Sequence, residues 1–257
     1  MNMQKINEQE KQWLLDEKYA GVTCDEYEKE CRLIENGVPV AYLIGNIEFL
    51  GCQIDLSNKP LIPRAETEFW VDIFLRTHKL KISQEKHILD LFAGSGCIGI
   101  AIAYHTGCHI DLGEIDQKNI QQIQKNIELN NIMNAHTFET DVFSNIPKKK
   151  YQFILANPPY IDRNKSNQVQ DSVLENEDDH ALFARQQGLE FIFRLIDEGV
   201  EYLESQGEIW IEFDSWQVEA IDSYLSQKEQ WAHKYIKDQY GKDRVLVLIK
   251  KLKIKKM

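Results

Sequence analysis

Leu155-Ala156-Asn157-Pro158-Pro159-Tyr160 is the stretch on which fold and chemistry both turn. It closes an apolar run, Tyr151 to Ala156, that reads as a buried strand. Neither proline can donate to a sheet ladder, and each pushes the residue before it toward extended backbone. The strand must stop in a stiff corner, with Asn157 at its carboxyl end. Open α/β sheets keep their ligands at that end. An amide oxygen beside carbonyls that lack a strand partner suits a planar NH2 group, which offers two donors in one plane. Asn and Pro also end strands in ordinary turns, so the corner alone leaves both readings open.

Upstream, Ile88 to Phe92 reads as another strand, running through Ala93-Gly94-Ser95-Gly96-Cys97-Ile98-Gly99 into an apolar helix, Cys97 to Tyr104. Glycines let this backbone bend sharply and approach a ligand, and the helix N-terminus offers free amide donors. Ile110 to Ile115 is the next strand. Asp116 follows it, 20 positions after Gly96, with Glu114 two before it. An acid there can accept both hydroxyls of a ribose. Gly94, Gly96 and Gly99 also satisfy the dinucleotide pattern G-x-G-x-x-G. Their spacing leaves a nicotinamide dinucleotide, S-adenosylmethionine and a plain packing turn all possible. The fourth strand separates them, because a dehydrogenase has no use for an Asn-Pro-Pro-Tyr corner.

The remaining elements continue the alternation. Gln117 to Asn131 predicts an amphipathic helix and Thr137 to Thr140 a weaker strand. After the polar stretch Asp162 to His180 come a helix over Gly188 to Glu204, a strand over Glu208 to Phe213 and a helix over Ser215 to Gln227. Such alternation predicts a parallel, doubly wound α/β sheet. Tyr235 to Lys237 and Val245 to Lys250 flank Gly241-Lys242-Asp243-Arg244 without a helix between them, which predicts a closing antiparallel hairpin, foreign to the dinucleotide fold. Three regions result: short helices over 1–38, a β-hairpin and linker over 39–63, with Pro39 to Leu56 forming the hairpin, and the main domain over 64–257, opening with a helix from Glu66 to Thr77.

At 257 residues, 43% hydrophobic and 28% charged, the composition is that of a soluble globular protein. Without an apolar run near 18 residues or a signal-peptide core over Met1 to Glu10, a cytoplasmic location is expected. A net charge of −11 disfavours a broad grip on a nucleic-acid backbone, so no stable nucleic-acid partner is expected. The lysines from Lys250 to Lys256 read as a solvated tail. Cys24, Cys31, Cys52, Cys97 and Cys108 show no C-x-x-C pairing, so neither a disulfide framework nor a metal site is expected.

From Pro39 onward the chain resembles the HemK-type protein-(glutamine-N5) methyltransferases, a class I S-adenosylmethionine-dependent group that modifies the Gly-Gly-Gln glutamine of peptide chain release factors. The resemblance rests on Pro39 to Gly45 with Glu48-Phe49, on Leu61-Ile62-Pro63-Arg64-Ala65-Glu66-Thr67-Glu68, on Asp90 to Gly96, on Thr140-Asp141-Val142-Phe143 and on Asn157 to Ile161. Glu175 with Ala181-Leu182, and Asp238 with Gly241 and Arg244, fall where the family has comparable residues. Ala65, Phe92, Val142 and Asn176 depart from it: Phe92 stands at the loop's first glycine and Val142 at a frequent aromatic. The helical region is short, about 38 residues against a larger bundle. The resemblance implies a Rossmann-like, seven-stranded class I methyltransferase sheet. It implies that Phe92, Ala93, Gly94, Ser95, Gly96, Asp116, Val142 and Asn157 bind S-adenosylmethionine. It also implies that Asn157, Pro158, Pro159 and Tyr160 form the catalytic corner, with Tyr160 packed on the amide plane and no metal involved. A release factor is the expected protein substrate. Adenine-amino methylation of RNA or DNA shares the corner motif, and glutamine methylation of a ribosomal protein or a binding module that has lost catalysis are further readings.

Overall fold

The apolar runs form the centre of a seven-stranded sheet. The computed structural model describes residues 3–82, 84–168 and 171–252. The helical start comprises α1 (Met3–Glu17), α2 (Asp25–Glu35) and α3 (Val40–Ile44), followed by the hairpin β1 (Asn46–Phe49) and β2 (Cys52–Asp55) and by α4 (Ala65–His78). The alternating part is β3 (His87–Leu91), α5 (Cys97–Thr106), β4 (His109–Glu114), α6 (Gln117–Leu129), β5 (Ala135–Glu139) and β6 (Tyr151–Ala156). The chain then runs through the short strand β7 (Ile161–Asp162), α7 (Asp171–Asn176), α8 (Asp179–Leu182), β8 (Phe183–Ala184) and the irregular turn α9 (Arg185–Gly188). It ends in α10 (Glu190–Glu198), β9 (Leu203–Glu212), α11 (Val218–Leu225), β10 (Trp231–Lys237) and β11 (Asp243–Lys250).

The sheet order is β10-β11-β9-β6-β3-β4-β5. The five strands β3, β4, β5, β6 and β9 pair in parallel, and β11 and β10 close the edge antiparallel. Alternate residues face opposite layers, as strand geometry requires. Ile88, Ile110, Phe153, Leu155 and Trp210 pack toward α4, α5 and α6. Leu89, Leu91, Ile154, Ile209 and Ile211 pack toward α10 and α11. The central strand β3 is flanked by β4 on one side and β6 on the other. The crossovers change direction there, and the crevice outside the carboxyl ends of β3 and β6 is where such sheets take ligands.

Two local expectations need correction. Val40 to Ile44 is a helix, and only Asn46 to Asp55 forms the hairpin. Val40, Leu43 and Ile44 sit at helical spacing and pack onto Leu14, Cys31 and Ile34, a period that outweighs the β-branched composition of so short a run. The helix expected over Gly188 to Glu204 is confined to α10, and β9 already begins at Leu203. Gly199 caps the end of α10, where a Cβ would meet Ile209 Cδ1 at 2.4 Å. Smaller differences lie at the element ends; β10, for example, begins at Trp231 rather than Tyr235. No helix of the described residues is long and apolar enough to cross a membrane. Met1 and Asn2 of the polar start, and Lys253, Lys255 and Lys256 of the lysine-rich end, lie outside the described residues.

Candidate active site

The loops leaving β3, β4 and β6 meet over the crevice and line a trough of adjoining branches that share lining residues. Its first branch is lined by Phe92, Gly94, Glu114, Asp116, Asn119 and Asn157. A side recess adds Thr140, Asp141, Val142 and Phe191. A second branch is lined by Arg64, Asn157, Pro158, Tyr160, Leu182 and Glu212. Pro159 is common to all three, and Asn157 lines both main branches. Ala93, Ser95 and Gly96 lie beneath the surface and shape the loop: Gly96 N donates to the Ala93 carbonyl at 2.7 Å, and the Ser95 carbonyl accepts from Asn126 Nδ2 at 2.9 Å.

Carboxylates dominate the first branch. Asp116 Oδ1 accepts from Lys118 N at 2.7 Å, so the expected ribose acid also caps α6. Glu114 is the acid that faces the glycine loop. Its Oε2 accepts from Gly94 N at 2.8 Å and its Oε1 from the amides of Ile115 and Asp116. Burial pushes the Glu114 carboxyl above the usual range. No lysine, arginine or histidine is among the described residues lining this branch or its recess. Such a lining is hostile to a pyrophosphate and suits a cationic nucleoside.

Behind the loop, Asp90 is fully buried. Its Oδ2 accepts from Gly99 N at 2.9 Å, and Oδ1 has no partner among the described residues. Burial pushes its pKa up to about 8. A carboxyl whose folded pKa is raised binds its proton more tightly in the folded state, so stability is lost as pH rises from the unfolded value, about 4, to about 8. Asp90→Asn carries no such penalty. Its stability relative to wild type is expected to climb over that interval by about 3–5 kcal/mol, at ~1.4 kcal/mol per tenfold change in proton affinity. Urea unfolding at several pH values checks this; a difference independent of pH contradicts it.

The recess walls are apolar. Phe92 holds φ at +59° and Val142 at +54°, left-handed conformations that cost bulky residues on the order of 1 kcal/mol or more. The Phe92 ring meets Phe191 edge-on at 5.2 Å. Phe191, on α10, thus supplies the aromatic wall that Val142 does not, and Ile115, 61% exposed, stands at the mouth.

The second branch is organised by acids that are distant in sequence. Glu212, at the end of β9 and 1% exposed, accepts from Thr67 Oγ1 and Trp70 Nε1 at 2.7 Å each and from the Tyr160 hydroxyl at 3.1 Å. Burial raises its pKa, and burial followed by the Glu212 charge raises that of Tyr160. Gln217 Nε2 donates to the Tyr160 carbonyl at 3.1 Å. Asn157 Nδ2 reaches Thr67 Oγ1 at 3.4 Å, and the Pro158 carbonyl has no hydrogen bond among the described residues. The polar stretch after Asp162 folds back over this branch. There Glu177, rather than Glu175, is the buried acid, taking Arg64 Nη2 on both oxygens at 2.7 Å, while Glu175 is exposed. Asp238 holds the β10–β11 turn, accepting from the amides of Tyr240 and Lys242 and from Arg244 Nε.

The methyltransferase small domain family matches residues 71–221. A release factor glutamine methyltransferase from Thermodesulfovibrio yellowstonii is 32% identical over 214 residues, covering 82% of this chain and 76% of that protein. The chain belongs to the release factor glutamine methyltransferase family. A member from Clostridium botulinum is 30% identical over 253 residues, covering 94% of this chain and 87% of that one. A solved methyltransferase from Pyrococcus furiosus shares the fold at a TM-score of 0.60 and 18% identity, covering 88% of this chain and 99% of that one. In this member of the release factor glutamine methyltransferase family, sequence reading missed Glu212 and Phe191 as lining residues, and Gln217 and Glu177 as the partners that hold Tyr160 and Arg64. Only Glu212 left a trace: an acid closing the run Ile209-Trp210-Ile211, at the carboxyl end of a strand.

Proposed function

We propose that this chain transfers a methyl group from S-adenosylmethionine to the side-chain amide nitrogen of a protein glutamine, that of Gly-Gly-Gln in a peptide chain release factor. One observation carries the reading: Asn157 and Pro159 line both the first branch, which we read as the cofactor branch, and the second, so a group passed from one to the other would travel beside them. The family membership supports the same substrate class.

The trough fits the cofactor's chemistry. Glu114 and Asp116 would take the ribose hydroxyls. Phe92, Ile115, Val142 and Phe191 would flank the adenine, and the acidic, base-free lining suits a ligand with ammonium and sulfonium charges. When bound, S-adenosylmethionine supplies a methyl group activated by its sulfonium. Removing one charge at a time, with Glu114→Gln or Asp116→Asn, is expected to weaken cofactor binding by about 1.5–3 kcal/mol for the acid that takes the hydroxyls. Titration calorimetry reads this directly, and unchanged affinity in both variants contradicts the ribose assignment.

A carboxamide nitrogen is a poor nucleophile because its lone pair is delocalised into the carbonyl. Asn157 Oδ1 and the Pro158 carbonyl would each accept one N–H of the substrate amide and hold its nitrogen toward the cofactor branch. As positive charge develops on that nitrogen, both acceptors bind it more strongly, so the corner stabilises the transition state more than the ground state. Tyr160 would wall the branch, with its ring fixed through its hydroxyl by Glu212. The methylated, cationic nitrogen is strongly acidic and gives up one proton to water, so none of these steps needs a general base.

The experiment is incubation of the protein with methyl-labelled S-adenosylmethionine and either a release factor or an adenine-containing RNA. Label in the release factor is expected; label in the RNA alone overturns the glutamine reading in favour of adenine-amino methylation.

A further inference from the structure

The two ends of the Asn157 side chain have the same shape and opposite hydrogen-bonding character. Only the orientation with Oδ1 toward the trough gives the substrate NH2 an acceptor; the reversed one would oppose donor to donor. Packing alone cannot choose between them, since the amide N and O are nearly isosteric. A polar neighbour has to choose.

We infer that Thr67, its hydroxyl proton committed to Glu212, is the positioning residue that fixes which way the Asn157 amide faces. This rests on the proposed function, because it assigns Asn157 as the acceptor of the substrate amide. The polarity follows from one group that has no alternative. Trp70 Nε1 can only donate, and it reaches Glu212 Oε2 at 2.7 Å, so that oxygen is an acceptor. Thr67 Oγ1 reaches the same oxygen at 2.7 Å, so it spends its single proton there. The hydroxyl keeps only lone pairs for Asn157, 3.4 Å away. An Oδ1 turned toward it would face oxygen against oxygen; Nδ2 turned toward it finds an acceptor. Oδ1 is then left for the trough.

The arrangement is buried and anchored on three elements. Thr67 and Trp70 come from α4, Glu212 closes β9, and Asn157 follows β6. Thr67, Trp70 and Glu212 are each no more than 1% exposed, so water does not compete for these bonds. Glu212 also takes the Tyr160 hydroxyl on its other oxygen. One carboxylate therefore sets the polarity at both ends of the Asn157-to-Tyr160 corner.

Thr67→Val removes the hydroxyl at nearly constant size, and Thr67→Ser restores it. Each is measured for kcat and KM with a release factor, for cofactor affinity by calorimetry, and for the Asn157 side-chain amide signals in 1H–15N spectra without substrate. In Thr67→Val, kcat is expected to fall about tenfold, the kinetic equivalent of one lost hydrogen bond, with cofactor affinity and KM little changed. The Asn157 amide signals should shift. Thr67→Ser should recover both the rate and the signals. Wild-type kcat in Thr67→Val overturns the inference, as does a Thr67→Ser variant as slow as Thr67→Val. A slow Thr67→Val whose Asn157 amide signals match wild type also overturns it, since the loss would then be structural. If wild type methylates no glutamine, the functional reading fails, while the amide signals still decide whether Thr67 orients Asn157.

Discussion

Asn157→Ala is expected to bind the cofactor nearly as well as wild type while transferring methyl groups about 100- to 1,000-fold more slowly. That loss is typical for removing one preorganised group that bonds the transition state more strongly than the ground state. The fold should survive the change. Pro158 and Pro159 still enforce the corner and are themselves buried, and Asn157 contributes only the long bond to Thr67 among the described side chains. In the proposed reading the loop after β3, with Glu114 and Asp116, would carry most of the cofactor contacts, and the change leaves these residues alone. Rapid-mixing single-turnover kinetics, with calorimetry alongside, separate the two effects. Near wild-type turnover with reduced stability would make Asn157 a turn residue and nothing more.

Gly188→Ala is expected to cost about 3–5 kcal/mol of stability and most of the activity together. A Cβ at this position would lie 2.0 Å from the Tyr160 carbonyl oxygen and 2.8 Å from Gln217 Nε2, and φ is +79°. Left-handed strain and overpacking each cost about 1–3 kcal/mol, and here the obstacle is backbone that cannot rotate away. Relief requires Tyr160 to move, breaking its carbonyl bond to Gln217 and shifting its hydroxyl from Glu212. Gly241→Ala is the control: φ is +80°, but nothing lies within 4 Å, so it should cost about 1 kcal/mol and leave transfer intact. Urea unfolding and transfer assays on the pair check this. Equal losses in both variants would mean that the close approach to Tyr160 does not matter.

The centre of the sheet was readable because its strands are short apolar runs ending in residues that cannot continue them, as at Phe92-Ala93-Gly94 and Asn157-Pro158-Pro159. The positions of the corner and the glycine loop at the strand ends were equally readable, since each lies within a few consecutive residues. Val40 to Ile44 was misread because five residues are too few to separate a period of 2 from one of 3.6. Glu212, Thr67 and Trp70 carried no joint signal: Thr67 and Glu212 are 145 positions apart and meet only when β9 is laid against β6 beneath α4. Glu177 was hidden in a stretch so rich in acids that nothing marked out the buried one. Phe191 looked like one more apolar position of an amphipathic helix. Consecutive motifs are legible; constellations built by topology are not.

Methylation of a glutamine side-chain amide in this trough, as proposed, is tested most directly by tandem mass spectrometry of a release factor treated with the protein and S-adenosylmethionine, beside a variant in which Gly-Gly-Gln is changed to Gly-Gly-Asn. One added methyl group on the side-chain nitrogen of that glutamine, and none on the shorter asparagine, is the predicted result. Equal modification of both proteins, or a methyl group at any other residue, would contradict it.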